Sequence, residues 1–416
     1  MMCQFLFNKP RDLPMSHSTD WTLSRRALLG AAGAATVAGA LPGFAQTPPA
    51  TAVALDADWS PTPHPEADRY FVIDGVAHAY NHALYNMRRS RSARITLDTN
   101  SKWHLACTPE RYQLTAQQYH RDWQADELVD LVFLESTTDM MIMHSVPMYD
   151  THWDGLVSNE KGAYLKHNYP DRVLWYGALD VFRPMDALRA QADQLVAQGA
   201  DGIKLYPTRL NPETDASEGW LMDDEKRALP VFEYLLEQGI RHVAIHKLVG
   251  YTGPQTAALG IDDMYRAAQA FPDLTFHLVH AGWQNFDETV RLMRARENIT
   301  AVMEGPFLFP LYDMALFDRM MAAFMSNVDV ERIIYASTAA NQHPYWMLNA
   351  FYDYQPPAGA SFKVSKADKA KILGGNLARY HGIDVVAQRR KIAADRFSRY
   401  QAEHGLREPY IVQRTG

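Results

Sequence analysis

The stretch YFVIDGVAHAYNHALYN, residues 70–86, runs from an apolar strand directly into polar residues. Tyr70, Phe71, Val72 and Ile73 are β-prone, and Asp74, His78, Asn81 and His82 follow. A histidine at the end of a buried strand is placed to bind metal, because imidazole is the commonest transition-metal ligand near neutral pH. A metal pair would want a second histidine two positions earlier, and Val76 stands there. Similar endings recur along the chain. HVAIH, 242–246, closes on His246 with Lys247 next, and LTFHLVH, 274–280, closes on His280 before Ala281 and Gly282. ITAVME, 299–304, closes on Glu304, and GIKLY, 202–206, carries Lys204. Two or three imidazoles with a carboxylate make an open catalytic zinc site. Each histidine alone could equally be a hydrogen-bonded core residue. His277 and His242 lie within or at the start of their strands and are assigned no chemistry, while His144 is left between the rim and a packing role.

These residues need elements to hold them. Short apolar runs alternate with amphipathic ones from residue 70 onward. Strands are expected at 70–76, 139–145, 173–180, 202–206, 242–246, 274–280, 299–304 and 332–337. DALRAQADQLVAQGA, EKRALPVFEYLLEQGI, DDMYRAAQAFPD and DETVRLMRAREN have helical spacing between them. Eight β-then-α units over roughly 300 residues match a (β/α)8 TIM barrel, an α/β fold. A doubly wound sheet would want a Gly-rich phosphate loop after an early strand, and the sequence has none. The first β/α connection is enlarged, over 83–138, and should fold over the C-terminal mouth of the barrel, where such folds do their chemistry. KADKAKILGGNLARYHGI reads as a helix, a Gly-Gly-Asn break and a second helix, and VVAQRRKIAADRFSRYQAEHGL as one charged helix.

The 416 residues are 47% hydrophobic and 11% aromatic, enough for a large core. A formal net charge of -7 gives no basic footprint for nucleic acid, so a small-molecule partner is expected. The sequence does not disclose the oligomeric state. TLSRRALLGAAGAATVAGALPGFAQ pairs Arg25 and Arg26 with a weakly apolar run and a small-residue cleavage site after Ala45. It resembles a twin-arginine export signal, with Met15 a candidate start. The run falls short of the roughly 20 strongly apolar residues of a membrane span, so no stable span should remain after signal removal. The expected organisation is a signal at 1–45, a Pro-rich linker at 46–66 and the barrel with C-terminal helices at 67–416. Removal of the signal also removes Cys3, leaving Cys107 without a disulfide partner. The expected location is the periplasm.

From about Phe71 to Ile383 the chain resembles the metal-dependent amidohydrolase-related (amidohydrolase 2) superfamily, of the aminocarboxymuconate-semialdehyde decarboxylase type. VIDGVAHAYN stands where those proteins have Ile-Asp-x-His-x-His; VAIHK and FHLVHAG match their strand-five and strand-six histidines. RIIYAST and then ILGGNLARYHGI match the last strand, which usually ends Gly-Ser-Asp, and the closing Gly-Asn-x-x-Arg helix. The resemblance implies that His78 and His246 are metal ligands and that His280 orients or activates a metal-bound water or substrate. It also implies a degenerate site: Val76 replaces one ligand, and Thr338 replaces the aspartate that binds metal and takes a proton from its water.

Three arrangements follow. A divalent metal, zinc, is kept with Glu304 as replacement ligand. Alternatively the site works without metal, with His280 as general base and Lys204 as anchor for an anionic substrate. In the third, the barrel is a non-catalytic periplasmic binding protein. Glu304 could instead pair with a rim cation, and Lys204 could merely pack its stem on the barrel wall. Trp153, Tyr206, Trp283 and Trp346 lie past strand ends and could stack on a planar ring or pack the loops. The arginines of NMRRSRSAR could meet a substrate carboxylate or lie in solvent. The expected activity is hydrolysis of a C–N or C–O bond in a small cyclic or aromatic acid, with decarboxylation on the same barrel as the alternative.

Overall fold

The computed structural model describes residues 58–247, 256–283 and 285–415. The expected signal lies outside them. Eight parallel strands follow one another around a barrel: β1 (Ile73–Ala77), β2 (Met140–His144), β3 (Val173–Ala178), β4 (Gly202–Leu205), β5 (His242–His246), β6 (Thr275–Val279), β7 (Ile299–Val302) and β8 (Ile333–Ile334). Their residues are buried almost without exception, which explains continuous apolar runs rather than alternating ones. β1 meets β8 through Gly75 N to Tyr335 O (3.0 Å), Thr338 N to Val76 O (3.1 Å) and a parallel bridge between Ala77 and Ala339. Asp74 reinforces that seam. Its carboxylate accepts from Ser337 N (2.9 Å), Ser337 Oγ and Val76 N (3.2 Å).

Helices cover the barrel in the expected alternation. α1 (Arg91–Cys107) and α2 (Ala125–Leu134) lie in the first connection. α3 (Asn159–Asn168), α4 (Met185–Ala197), α5 (Leu229–Glu237), α6 (Asp262–Ala270), α7 (Phe286–Ala295) and α8 (Met314–Asn327) follow β2 to β7 in turn. A short antiparallel hairpin, Thr208–Leu210 with Ser217–Gly219, sits between β4 and α5.

The enlarged connection does cover the mouth. Trp103 of α1 packs 6.3 Å from Trp283, three residues past His280, and His104 Nδ1 donates to Asn341 O (2.9 Å) in the turn after β8. Asn341 also accepts from Tyr119 Oη (2.6 Å).

Two C-terminal expectations need correction. Gly374 and Gly375 do not break the helix: they lie in a π-helical turn, Lys371–Gly375, between Lys366–Ala370 and Asn376–Tyr380. The glycine is there for proximity, since a Cβ on Gly374 would lie 2.1 Å from Phe71 O. The charged tail is two helices, Val385–Ile392 and Arg396–His404. Asp395 caps the second through Ser398 N (2.8 Å) and grips Arg172. Residues 58–66 rest on the barrel domain, with Leu406 N donating to Pro61 O (2.7 Å) and Ser60 N to Tyr345 Oη (2.9 Å).

Candidate functional site

His78, Lys204, His246, His280 and Glu304 all stand at the C-terminal ends of β1, β4, β5, β6 and β7, and all are buried. His78 Nδ1 lies 3.0 Å from His144 O, and His280 Nδ1 lies 3.2 Å from Glu304 O. A carbonyl only accepts, so both Nδ1 atoms carry the proton. Each ring therefore presents Nε2 to its neighbours. His78 Nε2 is 3.6 Å from Glu304 Oε1, too far for a hydrogen bond. His280 Nε2 is 3.9 Å from Glu304 Oε2 and 3.2 Å from His246 Nδ1. Glu304 thus sits between two histidines, and a third histidine closes the row.

Electrostatics follow from this packing. Burial would raise the Glu304 carboxyl, but His280 and His78 in their protonated forms, with Lys204, outweigh it and hold the group well below the ordinary carboxylate value; with His280 neutral that hold weakens. Burial lowers His280 despite the opposing pull of Glu304, so its imidazole is neutral near pH 7. Burial brings Lys204 down to about 8, against the pull of Glu304.

The backbone is strained at the same rim. Five non-glycine residues among those described have positive φ, and three are His280 (67°), Ala281 (48°) and Thr338 (62°). Such strain persists where surrounding structure over-determines it, often at functional sites.

Other candidates separate cleanly. Tyr206 stacks on His246 with centroids 4.4 Å apart. Trp283 packs against Trp103 and Phe309, and Trp346 against Tyr112 and His343, so both serve packing. Trp153 is exposed, with the Arg88 guanidinium 3.9 Å above its ring, and together they line a surface pocket with Leu84 and Pro212. Lys247 turns away from the rim into Asp263 and two carbonyls. Val76 lies in the apolar core with Ala244, Val279 and Val302.

His144, left open from sequence, lies under the rim, stacked 4.9 Å from Tyr176. Neither ring nitrogen has a hydrogen-bond partner among the described residues, and burial followed by Lys204 and His78 holds the ring neutral. Only its position at the end of β2 hinted at this place. His242 and His277 share a hydrogen bond (3.2 Å) at the opposite end of the barrel, away from the rim as expected.

A sequence model of the amidohydrolase family matches residues 119–382, more than half of the chain. The chain belongs to the amidohydrolase family. This amidohydrolase is accordingly an enzyme of that superfamily, on a TIM barrel. It is similar in fold to an uncharacterized TIM-barrel protein from Bordetella bronchiseptica, 18% identical with a TM-score of 0.54, over 76% of this chain and 98% of that one. It also resembles a probable 2-pyrone-4,6-dicarboxylic acid hydrolase from Acinetobacter baumannii, 10% identical with a TM-score of 0.46, over 75% and 99% of the two chains. A dihydroxybenzoic acid decarboxylase from Polaromonas with bound manganese is 14% identical with a TM-score of 0.45, over 74% and 97%. No curated protein sequence matches the chain.

Proposed function

We propose that this amidohydrolase hydrolyses a small cyclic or aromatic acid at the C-terminal rim of its barrel. The observation that carries the reading is Glu304 lodged between His78 and His280, with His246 beside His280, on strained strand ends.

Lys204 in its ammonium form would anchor the carboxylate of the acid, and burial strengthens that attraction by excluding water. Neutral His280 would take the proton from the attacking water at Nε2. Glu304 would stabilise the imidazolium that results, and the N–H that His246 Nδ1 donates to that Nε2 must give way to the water. Positioned proton transfer of this kind contributes roughly 10²–10⁴-fold in rate.

The superfamily implies a divalent cation, and the donor chemistry fits one. Ligands sharing a tetrahedral zinc with bonds of about 2.0–2.2 Å lie roughly 3.3–3.6 Å apart, close to the spacing of His78 with Glu304. The carbonyl bond at His78 Nδ1 is that of a ligand imidazole. Among the described residues no three such groups already converge on one centre. His78, His246 and Glu304 would hold the cation, zinc being our choice. When bound it would lower the pKa of a water and polarise the scissile carbonyl.

The test is a panel of lactones, cyclic amides and aromatic acids, with products read by mass spectrometry. Gain of one water supports hydrolysis. Loss of carbon dioxide assigns the decarboxylase alternative instead, and saturable binding without any product assigns a binding barrel.

A further inference from the structure

Among the described residues three lysines are buried: Lys204, Lys247 and Lys369. Lys247 Nζ donates to Ala258 O (2.8 Å), Gly260 O (2.9 Å) and both oxygens of Asp263. Lys369 Nζ donates to Tyr352 O (2.8 Å). These two are ammonium ions with a structural task. Lys204 differs. It is 1% exposed, its Nζ lies 5.5 Å from the Tyr206 ring centroid, and no ion pair or hydrogen bond joins it to any described residue. Glu304, the carboxylate that acts on it, is engaged instead with His78 and His280. The nearby His144 is a neutral ring and supplies no negative charge. A buried ammonium without acceptors is the costly form of the side chain. A desolvated amine is a nucleophile for carbonyl carbon.

We propose that Lys204 captures the ketone or aldehyde of a small oxo acid as a Schiff base within the rim. The Nζ lone pair forms the C–N bond while the C=O electrons move to oxygen. His280 takes one proton from Nζ and returns it to the alkoxide oxygen, and a second proton, drawn from bulk water, lets that hydroxyl leave as water, giving an iminium. If the acid carries a carboxylate β to that carbon, carbon dioxide departs and its bonding electrons pass to the iminium nitrogen. Protonation of the enamine carbon and addition of water release the ketone and restore the amine. No oxidant or reductant is consumed. The inference rests on the rim being the reaction centre, but not on hydrolysis. Anchor and nucleophile are the two protonation states of one side chain.

The test is reductive trapping of the full chain with cyanoborohydride and pyruvate, acetoacetate or 4-carboxybenzaldehyde, read by peptide mass mapping. At least one probe should label Lys204 at least tenfold faster than exposed Lys366. His280→Gln should slow the labelling, and Lys204→Met, checked for native circular dichroism, should abolish it. Labelling of Lys204 no faster than Lys366 with all three probes overturns the proposal. An adduct on a protein without hydrolase activity leaves this inference standing and removes the hydrolase reading. Hydrolysis with no adduct does the reverse.

Discussion

Glu304 is the residue that organises the rim, because it faces two histidines at once. Its candidacy was legible in sequence only as the last residue of an apolar run. The histidines were easier: strand periodicity put His78, His246 and His280 at strand ends, and the structure has them there. His144 was not resolved, because one residue of register decides whether a strand-end side chain faces the mouth or packs below it. Val76 is explained by its surroundings, an apolar layer in which an imidazole would lack partners. If the rim holds a cation, purified protein should carry near-stoichiometric zinc, and His246→Ala should lose most of it. Metal content unchanged in that variant, or turnover that survives full chelation, removes the cation from the account.

At the scale of elements, the strands read well because burial on both faces writes long apolar runs into the sequence. Helix boundaries near the C-terminus read less well. Gly374 and Gly375 suggested a break, yet the chain continues through them as a π turn, since the need was contact with Phe71 rather than a change of direction. Sequence alone cannot show that approach, because Phe71 is about 300 residues away in the chain. Gly374→Ala must therefore displace the helix from the strand. Overpacking of this kind costs about 1–3 kcal/mol, and thermal melting should record a drop of several degrees. An unchanged melting temperature would mean that the contact is slack. The turn after β8 has its own support: Tyr410 Oη bonds Ala340 O and Asn341 O (3.2 Å each), and Tyr410 N bonds Glu135.

For the whole molecule, buried titratable groups set the response to pH. Burial brings His104, His152 and His242 down from 6.5 to about 4, with a backbone hydrogen bond opposing at His104 and His242. The unfolded chain takes up those protons first as pH falls. Stability contributed by these rings is complete above about 6.5 and is lost between about 6.5 and 4. Glu135, raised to about 8, and Asp74, raised to about 7, act in the opposite sense. Burial is the main cause for both, with the Tyr410 and Ser337 hydrogen bonds opposing. The fold keeps their protons when the unfolded chain has released them, so their contribution is complete below about pH 4, fades as pH rises from there and is gone above about 7 to 8. Between about pH 4 and 6.5 the two sets oppose each other, and above that only the carboxyl groups still titrate, so melting temperature should fall from about pH 6.5 to 8. A melting temperature that does not fall over that range contradicts the raised carboxyl groups.

The TIM architecture was legible from the count and order of elements, and the enlarged connection from its length. Location rests on the first 45 residues, and we propose export by the twin-arginine route. A mature N-terminus at Gln46, lost when Arg25 and Arg26 are both replaced by Lys, would support it, and retention of the full chain in the cytoplasm would not.

The central claim is that the histidine rim carries out hydrolysis. Its most direct test is turnover in ¹⁸O-water of a substrate found by the panel, comparing the native enzyme with His280→Gln. The account predicts one ¹⁸O atom in the product and a rate at least about 10²-fold lower in the variant. Carbon dioxide release without ¹⁸O incorporation, or an undiminished rate in His280→Gln, would contradict it.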